Sequence, residues 1–413
     1  MSAQSLFILQ LAVIVTVAGL CGGLVQKLGQ PRVVGEMIGG ILLGRSVMGA
    51  WAPHFKHTLF PAASLHTLEL VSNLGLVLYL FLEGLDLDVA AVWKQRSTAL
   101  RVSTISMGAP LALGLLLALC MHRGYSGTNT GLLSFLLFFG TAISTTAFPV
   151  LARILREHPV QGDLGPTTLV TAAIADVLGW TLLAVALTVV SAGSSVKTLA
   201  LRLLLLLVYI VVLLGAFRPL AGKLVAWRGA PRFSRLLLGV FLVGALLSAF
   251  ATERLGVHAL FGAFLAGICL PRVPHWKQQL EQSVSPLVSI LLLPVFFAVT
   301  GMNAEFKELA HLHIALWTVL ILVVAIAGKI GGTYYAARKA SMNEDDALSM
   351  GVLMNTRGLV ELVVLNIAYD AGIFNRQLFT AFVLMALVTT VLTAPLLQYV
   401  QRRAARHPVV APC

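Results

Sequence analysis

Residues 167–187 read TTLVTAAIADVLGWTLLAVAL, an apolar run that carries a single carboxylate, Asp176, near its centre. An α-helix of roughly 20 such residues crosses the hydrocarbon core of a bilayer. The rest of the chain has the same character, because 58% of its 413 residues are hydrophobic and only 11% are charged. Soluble domains contain roughly 25% charged residues. We therefore predict an all-α polytopic membrane protein and exclude a set of soluble domains.

Outward from this run, basic loops divide the chain into about 13 candidate transmembrane helices, most of them close to the length that a bilayer requires. The second, ninth and tenth are short or rich in glycine. The approximate extents are 4–24, 33–48, 65–84, 99–121, 131–154, 165–191, 197–217, 233–253, 256–270, 286–301, 312–337, 346–369 and 377–400. The first span lacks the basic region and the cleavage site of a signal peptide, so we expect it to be a membrane helix.

Lysine and arginine residues are distributed unequally between the two sides of these spans. With the amino terminus outside, about 19 of them fall in cytoplasmic loops and about 8 on the other side, and basic residues in short loops resist translocation. We therefore expect the amino terminus outside and the carboxyl terminus in the cytoplasm, in a bacterial-type inner membrane. The net charge of +12 is then mostly a signal of orientation. Nucleic-acid binding loses its support.

The odd number of spans predicts an inverted repeat. If the helix at about 197–217 is a linker, the six spans before it start from outside and the six after it start from inside. The predicted halves are about 1–191 and about 233–401, within one transmembrane domain. Segment five of the first half then corresponds to segment twelve of the second half.

Both of these segments contain helix breakers. In FGTAISTTAFPV (139–150) the breakers are Gly140, a Ser/Thr run and Pro149, and in MNTRGL (354–359) the break is centred on Gly358. Unwound backbone at membrane depth is tolerated only where it lines a cavity, so paired breaks indicate a transport site. Hydroxyls that bond back to their own helix are the alternative. The candidate pocket residues are Ser144, Thr145, Thr146, Asn355 and Thr356.

Asp176 is the sharpest single candidate. A carboxylate at the bilayer centre costs several kcal/mol, so it faces a partner or a water-filled cavity. A structural hydrogen bond or a buried ion pair is one interpretation. The other is a site that alternately holds a proton and a desolvated monovalent cation, because burial favours the neutral carboxyl, a nearby cation favours the carboxylate, and hard cations take oxygen ligands.

Two basic residues, Lys329 and Arg357, also fall inside predicted spans. Arg357 and Glu361 lie four residues apart, so we predict that they pair on one helix face. Lys329 is then left to balance the charge of Asp176. The four cysteines are scattered and no His-plus-acid or Ser-plus-base group converges inside the spans, so we expect no cofactor and no enzymatic activity.

Six motifs occur in order from the second span to the twelfth. They are GEMIGGILLG (35–44), TAFPVLARIL (146–155), AAIADVLGW (172–180), VHALFGAFLAG (257–267), PVFFAVTGM (294–302) and NTRGLVELVVLN (355–366). Together they resemble the monovalent cation:proton antiporter-2 family, near the plant cation/proton exchangers and their bacterial relatives. The resemblance implies a sodium/proton-antiporter fold with 13 helices, two crossed discontinuous helices in a mobile core, a homodimer and elevator-like alternating access. It places the essential aspartate on Asp176 and the membrane lysine on Lys329.

Two departures from the family pattern bear on mechanism. Many members carry a second acid or an asparagine before the essential aspartate, whereas this chain has Ala175, so we expect electroneutral exchange of one proton for one potassium or sodium ion. The chain ends at Cys413 without the nucleotide-binding regulatory domain of the potassium-efflux branch, so that type of gating would require a separate regulatory subunit. The alternatives are a channel-like potassium efflux pathway and a transport-inactive sensor or partner subunit on the same scaffold.

Overall fold

The structure is a computed structural model that describes residues 2–86, 96–128, 131–160, 162–192, 196–227, 235–271 and 274–406. Several residues used in the sequence analysis lie outside these ranges. They are Cys413 and four of the basic residues that were counted as cytoplasmic for the predicted orientation, namely Lys94, Arg228, Arg232 and Arg272.

The described residues form helices and connecting turns. The β-type pairing among them is a single isolated bridge between Ser126 and Phe374. The α-helices are α1 (Ala3–Lys27), α2 (Arg32–Leu43), α3 (Met48–Trp51), α4 (Pro53–Leu59), α5 (Ala62–Asp86), α6 (Arg96–Tyr125), α7 (Leu132–Ser144), α8 (Phe148–Glu157), α9 (Leu164–Ala192), α10 (Val196–Val212), α11 (Arg218–Trp227), α12 (Arg235–Arg254), α13 (Ala259–Cys269), α14 (Pro274–Leu287), α15 (Leu293–Asn303), α16 (Leu312–Ile326), α17 (Gly332–Lys339), α18 (Glu344–Met354), α19 (Leu359–Asp370) and α20 (Arg376–Arg406). Three π-helical turns, Leu213–Phe217, Val288–Leu292 and Ala327–Gly331, and one 3-10 turn, Phe306–Ala310, join some of them.

These helices confirm the predicted all-α membrane fold. Among the described residues, eleven helical stretches are long and apolar enough to cross a membrane, and α18 with α19 forms one further, bent span. The short apolar helix α13 corresponds to the predicted ninth span. The tenth span, predicted as the short segment 286–301, is in fact the long stretch Trp276–Asn303. The sequence hid this length because its first two turns are polar.

The chain divides into two compact units. Unit 1 comprises Met1–Gly19, Trp51–Val89 and Ala184–Val299, and unit 2 comprises Leu20–Ala50, Ala90–Leu183 and Thr300–Cys413. The division into two inverted halves joined by a linker helix concerns the order of the helices along the chain, and it stays a prediction.

In unit 1, α5 and α13 cross at glycines. A Cβ atom added to Gly84 would lie 2.1 Å from the main-chain oxygen of Phe264, and one added to Gly267 would lie 2.1 Å from that of Phe81. Small residues at such crossings let helix backbones approach closely within a membrane. The two glycines therefore set the spacing of this helix pair.

In unit 2, the interrupted stretches α7 with α8 and α18 with α19 carry most of the candidate residues, together with α9 and the π-helical turn Ala327–Gly331. Asp176, Lys329 and Arg357 are all buried in this unit. Unit 2 therefore contains every candidate residue of the predicted site.

Candidate cation and proton site

The first break interrupts the stretch Leu132–Glu157 between Ser144 and Phe148. The prediction that Gly140 contributes to this break is wrong, because Gly140 lies inside α7. Pro149 is the second residue of the second piece and occupies the first turn of α8. Proline is tolerated there because the first N–H groups of a helix have no partner within it. The unwound residues are 145–147, so the Ser/Thr run rather than the glycine marks the break.

The second break separates Met354 from Leu359, and the two pieces of the span are bent by 41°. It meets the first break directly. The main-chain N–H of Ala147 donates to the main-chain oxygen of Thr356 at 3.0 Å, and the hydroxyl of Thr146 donates to that of Met354 at 3.1 Å. The two discontinuous helices therefore cross at their breaks, as the family resemblance implied.

The two buried cations bind the carboxyl-terminal end of α7. Arg357 donates from Nη1 to the oxygen of Ala142 at 2.7 Å and from Nη2 to the oxygen of Ile143. Lys329 donates from Nζ to the oxygen of Ser144 at 2.6 Å. The last carbonyls of a helix lack intrahelical donors and carry its negative dipole end, so cations are stabilised there. The main-chain carbonyls of these three residues at the end of α7 are thus already hydrogen-bonded.

Lys329 lies in the π-helical turn Ala327–Gly331 and is fully buried. The sequence predicted that it would balance Asp176. Its ammonium interacts electrostatically with Asp176, but the described residues contain no direct ion pair between the two side chains. Its ammonium donates to the main-chain oxygen of Ser144. Lys329 therefore neutralises the negative dipole end of α7 through a hydrogen bond, and it acts on the Asp176 carboxylate at longer range.

Arg357 and Glu361 form the predicted ion pair, with Nη1 and Oε1 3.5 Å apart. The predicted reason for the pair is wrong, because the two residues do not share a helix. Arg357 lies in the break and Glu361 lies in the first turn of α19. Both oxygens of Glu361 are buried without a hydrogen-bond partner among the described residues. The guanidinium of Arg357 thus donates hydrogen bonds to two main-chain carbonyls. Among the described residues, its contact with the Glu361 carboxylate is an ion pair without a hydrogen bond.

Asp176 lies on α9 and is 4% exposed. Its Oδ1 is buried and has no hydrogen-bond partner in the described part of the chain. Gly179, three residues further along the same face of the helix, packs against the first break. A Cβ atom added there would lie 3.3 Å from Cγ2 of Thr145. The face of α9 that carries Asp176 therefore adjoins the unwound segment.

The hydroxyls of the two breaks use their protons on main-chain oxygens. Ser144 donates to Thr141 at 3.2 Å, Thr145 to Ala142 at 3.4 Å, Thr146 to Met354 at 3.1 Å and Thr356 to Leu353 at 2.6 Å. Three of these bonds return to the helix that precedes the break, which is the alternative that the sequence left open. Each hydroxyl oxygen keeps lone pairs that can accept a bond or bind a cation. The side-chain oxygen of Asn355 is buried and has no partner in the described structure.

Thr390 is a contact of the second break that the sequence analysis missed. Its hydroxyl donates to the main-chain oxygen of Arg357 at 2.7 Å and accepts from the main-chain N–H of the same residue at 3.2 Å. No feature of the sequence distinguishes it, because α20 also carries Thr389 and Thr393, which are equally buried. Only the crossing of α20 with the second break determines that Thr390 makes this contact.

The family model described as "Sodium/hydrogen exchanger, transmembrane" matches residues 12–399. The chain belongs to the sodium/hydrogen exchanger family. The match covers both broken helices, α9 with Asp176, and the turn that carries Lys329.

Named relatives in this family are cation/proton antiporters. The chain is 36% identical to the Na⁺/H⁺ antiporter NhaS4 of Synechocystis over 95% of its own length and 96% of that protein. It is 38% identical to cation/H⁺ antiporter 17 of Arabidopsis thaliana and 34% identical to K⁺/H⁺ antiporter 1 of Saccharomyces cerevisiae, over 95% and 99% of its length. The chain spans 48% of each of these two longer relatives.

The fold also matches a solved antiporter. The sodium proton antiporter MjNhaP1 of Methanocaldococcus jannaschii aligns with a TM-score of 0.72 over 97% of this chain and 99% of that one, at 16% identity. This confirms the antiporter fold predicted from the sequence. Together with the family and the relatives, it identifies an integral membrane cation/proton antiporter.

Proposed function

We propose that Asp176 is the shared site at which this antiporter binds either a proton or a monovalent cation, potassium or sodium. The observation that carries the proposal is the buried Oδ1 of Asp176, which has no hydrogen-bond partner in the described structure. A buried carboxylate in this state is costly and is stabilised by a proton or by a cation. Both are substrates of cation/proton exchange.

The surrounding oxygen atoms support a cation at this site. Asn355 offers a buried side-chain carbonyl oxygen that has no hydrogen-bond partner among the described residues, and Thr145 offers hydroxyl lone pairs beside the face of α9 that carries Asp176. Alkali cations are hard ions, and oxygen atoms are their preferred ligands by the logic that applies to calcium. We propose that Ser144, Thr146 and Thr356 complete the oxygen-rich wall of the pocket.

We propose electroneutral exchange of one cation for one proton. Ala175 precedes Asp176, so the site contains one acid at this position. An aspartate that binds a proton and an aspartate that binds a monovalent cation carry the same total charge. The charges of Lys329, Arg357 and Glu361 are held by internal contacts and do not change this balance. The two loaded forms therefore move equal charge across the membrane.

A cavity in unit 2 suggests the route from one side of the membrane. It has a volume of about 410 Å³ and is lined by Leu164 at the start of α9 and by Asp345 and Ser349 of α18. Along α9, Asp176 lies about 18 Å from Leu164 of this cavity, and Asn355 lies about 9 Å beyond Ser349 along the axis of α18. Both helices therefore run from the cavity to the proposed site.

The family resemblance supports two further parts of the proposal, the transport movement and the dimer, and the distribution of basic residues supports a third, the orientation in the membrane. Access alternates by an elevator-like movement of a mobile core that contains the two crossed discontinuous helices. The protein is a homodimer in a bacterial-type inner membrane. The amino terminus lies outside, in agreement with the distribution of basic residues.

Proton flux in reconstituted liposomes tests the role of Asp176. Protein is reconstituted with a pH-sensitive dye inside, and an outward potassium or sodium gradient is applied. We expect proton flux from the wild type and none from Asp176→Asn. The matched control is Asp163→Asn, the same chemical change at an exposed residue between α8 and α9, which should transport normally. Proton flux that persists in Asp176→Asn would refute the proposal.

The same liposomes distinguish the stoichiometry, the ion and the rival functions. Clamping the membrane potential at zero should leave the exchange rate nearly unchanged, whereas strong acceleration would mean that net charge moves. A series of alkali cations identifies the transported ion. A channel-like pathway would pass the cation without proton movement, and a transport-inactive subunit would pass neither.

A further inference from the structure

We propose that Thr390 is a positioning residue for cation binding, which holds the second break and its guanidinium in place through one hydroxyl. The proposal rests on the proposed function, because it assumes that the break forms part of the cation site. Thr390 does not contact the transported ion in this view. It acts through Arg357 and the residues that precede it in the break.

The chemistry of the contact is specific to a hydroxyl. The Thr390 side chain donates to the main-chain oxygen of Arg357 at 2.7 Å and accepts from its N–H at 3.2 Å. A hydroxyl has one donor and two acceptor lone pairs, so both bonds form at once. Arg357 lies where the helix is interrupted, so its main-chain groups need partners from outside the helix. One side chain of α20 supplies both.

The contact has consequences on both sides of the crossing. The guanidinium of Arg357 donates to the oxygens of Ala142 and Ile143 at the end of α7. Two residues before Arg357 lies Asn355, whose side-chain oxygen is one of the proposed cation ligands. Holding the main chain of Arg357 in place therefore positions two groups. One is its guanidinium, which stabilises the first break, and the other is the proposed cation ligand Asn355 in the second break.

α20 offers a matched control at the neighbouring position. Thr389 is as buried as Thr390, but its hydroxyl donates to the main-chain oxygens of Met385 and Ala386 within its own helix. Substituting valine for threonine keeps the shape and removes the hydroxyl at either position. Both variants therefore lose the same hydroxyl, which contacts the break at Thr390 and does not contact it at Thr389.

The first test measures cation-dependent proton exchange in liposomes. We expect Thr390→Val to raise the KM for the cation roughly tenfold, the effect of about one hydrogen bond, with a smaller change in the maximal rate. Thr389→Val should retain the wild-type KM. Thr390→Ser keeps the hydroxyl and should restore a KM close to that of the wild type. Equal KM values for Thr390→Val and Thr389→Val would overturn the inference, as would a Thr390→Ser protein as impaired as Thr390→Val.

The second test does not depend on transport. Hydrogen–deuterium exchange in detergent is measured on peptides that cover residues 355–359. Because Thr390 accepts the N–H of Arg357, we expect this amide to exchange at least tenfold faster in Thr390→Val than in Thr389→Val. Unchanged exchange would overturn the inference. Transport by Asp176→Asn would instead refute the proposed cation site, so the two failures are distinguishable.

Discussion

The ammonium of Lys329 lies 2.6 Å from the main-chain oxygen of Ser144, so the buried lysine binds a helix end and not a carboxylate. This contact is specific to the break, because an uninterrupted helix would give the oxygen of Ser144 to a main-chain N–H four residues further along the chain. The π-helical turn Ala327–Gly331 carries the lysine at this depth. The interruption after α7 thus frees a main-chain oxygen, and this oxygen binds the lysine side chain of the π-helical turn.

Replacing Lys329 with methionine tests this relationship. Methionine preserves most of the apolar stem and removes the donor, so the buried oxygen of Ser144 is left unsatisfied at a cost of about 1–3 kcal/mol. We expect the thermal unfolding temperature of the detergent-purified protein to fall. The control is Lys307→Met, which removes an exposed lysine from the 3-10 turn Phe306–Ala310 and should change the unfolding temperature little. Equal unfolding temperatures for the two variants would show that the contact does not stabilise the protein.

The guanidinium of Arg357 makes a contact that lysine cannot reproduce. It donates to two carbonyls at once, whereas a lysine ammonium is a point charge without this fork. We expect Arg357→Lys to lose one charge-assisted hydrogen bond and about 1.5–3 kcal/mol of stability. Denaturation followed by intrinsic fluorescence measures the loss.

Glu361→Gln provides the comparison for this prediction. Glu361 lies 3.5 Å from Nη1 of Arg357 but receives no hydrogen bond from it. The variant should therefore be less destabilising than Arg357→Lys. If the opposite order is measured, the ion pair rather than the carbonyl contacts determines the stability of the crossing.

The sequence predicted the framework of this site because membrane burial leaves few choices. A carboxylate in an apolar helix, as at Asp176, is expensive enough to stand out. The break before Leu359 follows from glycine and polar residues at membrane depth. The paired position of the two breaks follows from the order of the spans. Each of these signals is a departure from apolar composition, and composition is visible in the sequence.

The sequence could not predict which group each charged side chain contacts. Arg357 and Glu361 have the spacing of a helical pair, but the break ends the helix between Met354 and Leu359. Lys329 carries a charge that could pair with an acid, but its ammonium donates to a main-chain oxygen instead. Every residue has a main-chain oxygen, so the sequence does not indicate this partner. Thr390 is one of several buried threonines on α20. These assignments depend on how helices cross, which sequence periodicity does not specify.

The cavity beside α18 gives a prediction about cation capture. Asp345 is half-buried at the cavity wall. Its negative charge should raise the local concentration of cations, so we expect Asp345→Asn to raise the KM about two- to fivefold at low ionic strength and less at high salt. Transport kinetics in liposomes at two salt concentrations measure this difference.

Glu344→Gln is the control for the cavity prediction. It removes a charge from the same first turn of α18, so it has a similar effect on the helix dipole. Glu344 is exposed and pairs with Arg403 at 3.0 Å, and the cavity lining does not include it. Its KM should stay close to that of the wild type. A KM increase in Glu344→Gln equal to that in Asp345→Asn would assign the effect to general surface charge.

Gly358 lies where the two breaks touch. A Cβ atom added there would lie 2.8 Å from Cγ2 of Val150 and 3.3 Å from Cβ of Ala147. Gly358→Ala should therefore push the two segments apart, at a cost of about 1–3 kcal/mol for overpacking, and lower the rate of exchange. The control Gly331→Ala adds a Cβ with nothing within 4 Å, in the π-helical turn of Lys329. Alanine is favoured over glycine in helices by up to about 1 kcal/mol, so Gly331→Ala should leave stability unchanged or raise it. Thermal unfolding temperatures that move in the same direction in both variants would show that the close contact at the crossing does not constrain Gly358.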